Sequence, residues 1–221
     1  MEWLLLTGGG HVNFYSGLET VINAGRQRGV RILGSLDGWK GVNNGNGGIV
    51  DLTDHPIEDL RDLGGSFLGS SRTKPDLGQV ARNIKRHRVD AVFAFGGEDT
   101  LSVARDLHAE FSIPVVGWPK TMDNDQSGSY STIGYLTAAD IAARNTREAI
   151  ATAYSHSRIV LIPVFGRNTD WVAGAAAAYG HADYLIPAER RDLTLDEVAA
   201  QIKGVYLANK EKYGRSFAVV V

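Results

Sequence analysis

The 221-residue chain is 43% hydrophobic and 22% charged, with a formal net charge of −2, the make-up of an ordinary soluble globule. That charge offers no electrostatic pull toward nucleic acid or an anionic membrane, and the absence of cysteine removes disulfides, thiolate metal sites and thiol nucleophiles. No stretch reaches the roughly 18–20 apolar residues of a membrane span, and the start lacks the basic, long apolar run of a signal peptide, so a cytoplasmic setting is expected.

Short β-branched runs alternate with helical patterns along the chain. A strand over 3–6 leads through Thr7-Gly8-Gly9-Gly10 into a helix over 16–27 and a strand over 30–33. Asn43-Asn44-Gly45-Asn46-Gly47-Gly48 reads as loop or tight turn. Then come a helix over 76–87, a strand over 91–95, a helix over 100–110 and a strand over 114–117. The second half predicts a helix over 135–155, a strand over 158–164, a helix over 171–179 and a strand over 184–186. The small residues of 173–178 suit close helix packing. Thr194-Leu195-Asp196-Glu197 reads as a capping box opening a helix over 194–212. The chain closes on Phe217-Ala218-Val219-Val220-Val221, a strand buried on both faces. Such a strand ordinarily feeds further structure, so the chain is expected to be part of a longer one.

Three segments that follow strands can do chemistry: Thr7-Gly8-Gly9-Gly10, Gly96-Gly97-Glu98-Asp99-Thr100 and Lys120-Thr121-Met122-Asp123-Asn124-Asp125. Ligands of an open parallel sheet bind outside the carboxyl ends of its strands, so all three should face one crevice. Glycines let a backbone approach a phosphate, although glycine after a strand also reads as a plain turn. In the acidic segment, one carboxylate could take a proton from an attacking hydroxyl while the other holds Mg²⁺. An Asp/Asn turn satisfying its own backbone is the competing reading. Arg72 and Arg158 could bind phosphate bidentately or simply sit at the surface.

These segments together resemble the phosphofructokinase family over essentially the whole chain. Gly96-Gly97-Glu98-Asp99-Thr100 is similar to its Gly-Gly-Asp-Gly/Asp-Ser/Thr loop, and Pro119-Lys120-Thr121-Met122-Asp123-Asn124-Asp125 to its Pro-Gly/Lys-Thr-Ile-Asp-Asn-Asp signature. Phe67-Leu68-Gly69-Ser70-Ser71-Arg72 resembles a further family turn, and His156-Ser157-Arg158 with Val164-Phe165-Gly166-Arg167 its sugar-phosphate segment. The resemblance implies a Rossmann-like three-layer α/β sandwich with a mainly parallel sheet, incomplete at its C-terminus. It implies a donor-binding domain over 1–130 and the start of a sugar-phosphate domain over 131–221.

By the same resemblance, Asp123 is the base toward the C1 hydroxyl of fructose 6-phosphate or a related sugar phosphate. Thr121, Arg72 and Lys120 stabilise the transferring phosphoryl group. Gly9, Gly97, Asp99, Thr100 and Lys120 bind the donor, and Glu98 and Asp125 bind Mg²⁺. Thr121, Asp123, Arg158, Phe165, Gly166 and Arg167 contact the sugar phosphate, Arg158 across a subunit interface of a homodimer or homotetramer. Asp99 and Lys120 match members that use pyrophosphate, since an aspartate there would repel a nucleotide α-phosphate. The alternatives are ATP as donor, a non-catalytic or regulatory relative, and a kinase of another small molecule.

Three departures bear on these expectations. Gly8-Gly9-Gly10-His11-Val12-Asn13-Phe14-Tyr15 replaces most of the usual Gly-Gly-Asp-x-Pro-Gly-x-Asn, which weakens the expectation of phosphate binding there. Asp170 replaces a glycine beside the expected sugar pocket. Glu19, Asn23 and Asp54 stand where regulated relatives carry effector-binding arginines, so no nucleotide effector is expected.

Overall fold

The computed structural model describes residues 1–9, 12–57, 62, 64–166 and 168–221. They form two compact units, Met1–Thr121 and Met122–Val221.

The first unit is a three-layer α/β sandwich. Its strands are β1 (Glu2–Thr7), β2 (Arg31–Ser35), β3 (Ile49–Asp51), β4 (Ala91–Gly96) and β5 (Val115–Thr121), arranged β3-β2-β1-β4-β5. β1 runs parallel to β2 and β4, and β4 parallel to β5, while β3 is antiparallel to β2. Leu4, Leu5 and Leu6 are all fully buried, as a parallel strand covered on both faces requires. On one face α2 (Trp39–Asn44), α3 (Leu77–Arg86) and α4 (Glu98–Phe111) contribute Trp39, Val80, Ile84 and Leu107 to a core with Leu4, Leu6 and Val92. On the other lies α1 (Tyr15–Gln27), whose Gly17 and Gly25 sit directly against Phe95 and against Ile32 and Trp3.

This order carries a functional consequence. From β1 the chain moves outward to β2 and then crosses back to β4 on the other side of β1. The β1/β4 boundary is therefore a topological switch point, where the loops leaving adjacent strands diverge and open a crevice.

The second unit contains β6 (Ile133–Gly134), α5 (Tyr135–His156), β7 (Ile159–Leu161), α6 (Trp171–Gly180), α7 (Leu195–Tyr213) and β8 (Ala218–Val220). β7 and β8 pair in parallel, and Phe217 and Val219 pack with Ala153 of α5. α6 lies close on α5: a Cβ at Gly180 would stand 2.5 Å from the Thr146 Cβ. That is the tight approach the small residues of 173–178 predict. The capping box opens α7 as expected, and its Glu197 is held below the usual carboxylate range by the backbone N–H and hydroxyl of Thr194.

Several elements differ from expectation. β7 is shorter than 158–164, its pairing with β8 closing on the Ile162 N–H bond to the Val220 carbonyl. The strand expected over 184–186 is only a bridge from Tyr184 to Val220, flanked by the Ile186 N–H bond to the Val221 carbonyl. α2 takes in Asn43 and Asn44 of the segment expected to be loop or tight turn, which turns only after the helix ends, and neither α2 nor β3 is among the predicted elements. No helix among the described residues is long and apolar enough to cross a membrane.

Candidate functional site

In the first unit, the loops leaving β1 and β4 meet at the switch point. The Gly8 N–H donates to the Phe95 carbonyl at 2.7 Å, and Thr100 fills the space in front of both loops. A Cβ at Gly8 would overlap the Thr100 hydroxyl, and one at Gly96 would stand 2.6 Å from the same oxygen. Only glycine lets the two loops close on Thr100. Gly8→Ala is therefore expected to lower stability by about 1–3 kcal/mol through overpacking, read by urea unfolding. An unchanged midpoint would show that the loops are not packed this way.

α4 starts at Glu98 rather than at Thr100, because the Thr100 and Leu101 N–H groups both bond to the Gly97 carbonyl. Glu98 and Asp99 thus stand exposed in the first turn of a helix, where its dipole favours negative charge. The Trp39 indole N–H donates to the Thr100 carbonyl at 3.0 Å and pins this turn from α2. β5 extends past 117 to Thr121, so Lys120, which is buried, and Thr121, which is half-buried, lie on the strand end. A Cβ at Gly97 would stand 3.4 Å from the Lys120 carbonyl oxygen.

The turn that carries Arg72 is tied to the same end of the sheet. The Thr7 hydroxyl donates to the Gly69 carbonyl at 2.9 Å and shares a hydrogen bond with Ser66 at 2.7 Å. Asp37 N–H donates to the Leu68 carbonyl, and the Ser71 hydroxyl donates to the Asp37 carbonyl. Arg72 itself is exposed. Within this unit the structure therefore gathers Gly8, Gly97, Thr100 and the end of β5, with the Arg72 turn anchored at Thr7.

Part of the atypical first loop has a structural role. Val12 and Phe14 pair through backbone hydrogen bonds with Gly65, and the Phe14 side chain is buried. Gly10 and His11 lie outside the described residues, as does Arg167.

In the second unit, the acidic segment is held from both sides. The Thr169 hydroxyl donates to the Asp123 carbonyl at 2.8 Å. Asn124, buried and left-handed at φ 53°, accepts at Oδ1 from the Thr132 N–H at 2.9 Å and from its hydroxyl at 3.2 Å. So the turn satisfies itself through Asn124 and leaves Asp125 exposed. Asn124, Asp125 and Thr169 line a hollow of about 670 Å³ together with Tyr130, Tyr135, Trp171 and Tyr179. Gly166, at φ 127°, makes a turn so tight that a Cβ would stand 2.7 Å from the Thr169 carbonyl oxygen. Phe165 beside it is 71% exposed.

Asp170 is not offered to a ligand. Its carboxylate accepts from Ala188 N–H at 2.6 Å and Glu189 N–H at 3.4 Å, and Glu189 Oε1 accepts from Asp170 N–H at 3.0 Å. Arg158 is exposed at the start of β7, whereas Gly166 follows the other end of that strand.

Among the described residues no group of three or more His, Asp or Glu side chains stands together. Magnesium bound to polyphosphate needs only one or two protein carboxylates, the rest of its shell being phosphate oxygens and water. Glu98 in the first unit and Asp125 in the second each present one exposed carboxylate of the type such an ion takes.

Reading the residues alone missed Thr7, Trp39, Thr132 and Thr169. Trp39 had a signal, a large aromatic directly after the turn pair Asp37-Gly38. Thr169 had none, because its partner is 46 residues away.

Comparison with known proteins shows that the family model for phosphofructokinase matches residues 4–221. A pyrophosphate–fructose 6-phosphate 1-phosphotransferase of Dictyoglomus thermophilum is 31% identical over 98% of this chain and 62% of its own length. ATP-dependent 6-phosphofructokinase 3 of Streptomyces coelicolor is 33% identical over 98% of this chain and 63% of its own. The structure of Pichia pastoris phosphofructokinase in the T-state superposes with a TM-score of 0.89 at 25% identity, covering 100% of this chain and 26% of that one. The chain thus spans about three-fifths of the length of the curated relatives it matches.

Proposed function

Because this chain belongs to the phosphofructokinase family, we propose that it carries the donor loops and the catalytic base of an enzyme transferring a phosphoryl group from pyrophosphate to the C1 hydroxyl of fructose 6-phosphate or a related sugar phosphate. The observation that carries the reading is the closure of the Gly8 and Gly96 loops on Thr100 at the switch point of the sheet. Backbone amides there and at the start of α4 suit the charge of a polyphosphate. Thr121 ends the first unit, and Asp123 is two residues further on, within about 7 Å of it along the chain. A carboxylate such as that of Asp123 has the chemistry to take the proton of an attacking alcohol.

In the proposed reaction Asp123 accepts the proton of the C1 hydroxyl as its oxygen attacks the terminal phosphorus of pyrophosphate. The new O–P bond forms, the bridging P–O bond breaks, and orthophosphate leaves. Thr121 and Arg72 stabilise the equatorial oxygens of the moving group. Gly9, Gly97, Asp99 and Thr100 shape the donor site, and Lys120 supplies positive charge to it. Glu98 and Asp125 are the carboxylates assigned to Mg²⁺, which when bound neutralises charge on the phosphate oxygens. Phe165, Gly166 and Arg167 shape the sugar site. Arg158, at the opposite end of β7 from Gly166, is assigned to a neighbouring subunit's sugar phosphate rather than its own.

ATP is the second reading for the donor, favoured by the 33% identity to an ATP-dependent relative. The test is an assay of the full-length protein with pyrophosphate or ATP against a panel of sugar phosphates. Turnover with pyrophosphate and fructose 6-phosphate is expected to exceed that with ATP, and the reverse order would transfer the reading to ATP. No turnover with either donor on any sugar phosphate would remove the enzymatic reading.

A further inference from the structure

We propose that Thr169 is a positioning residue, whose hydroxyl sets the place of Asp123; the inference rests on Asp123 acting as the base. Its hydroxyl donates to the Asp123 carbonyl at 2.8 Å. That bond orients the peptide joining Asp123 to Asn124, and hence the direction in which the Asp123 Cα–Cβ bond leaves the backbone. On the far side of the same peptide, the buried Asn124 is fixed by Thr132. The acidic segment thus has two side-chain ties, one on each side of the peptide between Asp123 and Asn124.

Thr169 can act as a fixed point because its own backbone is held. The Gly166 turn closes on the Thr169 carbonyl, and Asp170 is locked to Ala188 and Glu189 by three hydrogen bonds. Gly166 and Arg167 belong to the segment proposed to hold the sugar phosphate. The hydroxyl that ties Asp123 thus comes from the turn that Gly166 opens, and Gly166 is one of the residues proposed to shape the sugar site. Thr132 ties Asn124 within the same loop, eight residues away.

The test uses the full-length protein and compares Thr169→Val, which keeps the shape and removes the hydroxyl, with Thr169→Ser, which keeps the hydroxyl. Thr169→Val is expected to lower kcat by about 10- to 100-fold, the range for an ångström-scale misplacement of a reacting group. KM for the sugar phosphate should change by less than about 3-fold, and Thr169→Ser should stay within about 2-fold of the parent. The decisive readout is the double variant: adding Thr169→Val to Asp123→Ala should cost nothing further, because the hydroxyl acts only through that carboxylate. If Thr169→Val does not fold, Thr169→Ala is read by the same scheme.

A drop in melting temperature with unchanged kcat would leave Thr169 a mere strut and overturn the proposal. So would equal losses in the valine and serine variants, or a further loss in the double variant. Asp123→Ala retaining full turnover would instead overturn the reading of Asp123, whatever Thr169 does.

Discussion

Asp123→Ala in the full-length protein is expected to cut turnover by about 10²- to 10⁴-fold, the usual worth of a general base. Its effect on the melting temperature should be small. The Thr169 hydroxyl bonds to the Asp123 backbone carbonyl, and alanine keeps that carbonyl. Asn124, which organises the turn, is untouched. Steady-state kinetics with both donors, paired with a thermal melt, checks the claim. Turnover within tenfold of the parent would show that another group takes the proton.

Asp99→Gly is expected to raise the ratio of kcat/KM for ATP to that for pyrophosphate by about 10- to 100-fold, since like charges brought together cost on the order of several kcal/mol and solvent exposure recovers part of that. Asp99 sits exposed in the first turn of α4, next to Glu98. On the proposed donor site, a nucleotide would bring its α-phosphate past this turn, whereas pyrophosphate would end before it. The same change removes one favourable charge from the helix start, a loss of about 0.3–1 kcal/mol. A ratio that stays put, or moves toward pyrophosphate, would show that donor choice lies elsewhere.

Much of the architecture was legible because it follows from short-range patterns. The unbroken Leu4-Leu5-Leu6 run marks a strand buried on both faces, and the Thr194 capping box marks where α7 opens. Alternating strands and helices imply the parallel sheet, and loops at strand ends imply its ligand edge. The antiparallel β3 and the six-residue α2 were not readable. Each is too short to show a period, and each is held by contacts far along the chain, such as Trp39 with Thr100.

The candidate site divides in the same way. The residues proposed for the chemistry, Asp123, Thr121, Lys120, Glu98 and Asp99, stand in two short motifs and could be named from order alone. What holds them could not. Thr7 supports the Arg72 turn across 62 residues, and Thr169 supports Asp123 across 46. Asp170 looked like a charge placed beside the sugar pocket, and its carboxylate turns out to be bonded to the Ala188 and Glu189 amides.

The amino-acid order by itself thus determined the fold class and the family, and named the residues proposed as reactive groups, because these are written in side-chain type and in spacings of a few residues. The tertiary structure decided how closely the glycine loops approach, which carboxylates remain available and which hydroxyls act as struts. Those outcomes depend on hydrogen bonds about 3 Å long between residues distant in sequence. No local pattern encodes them, since either partner could be satisfied by solvent until the fold brings both together.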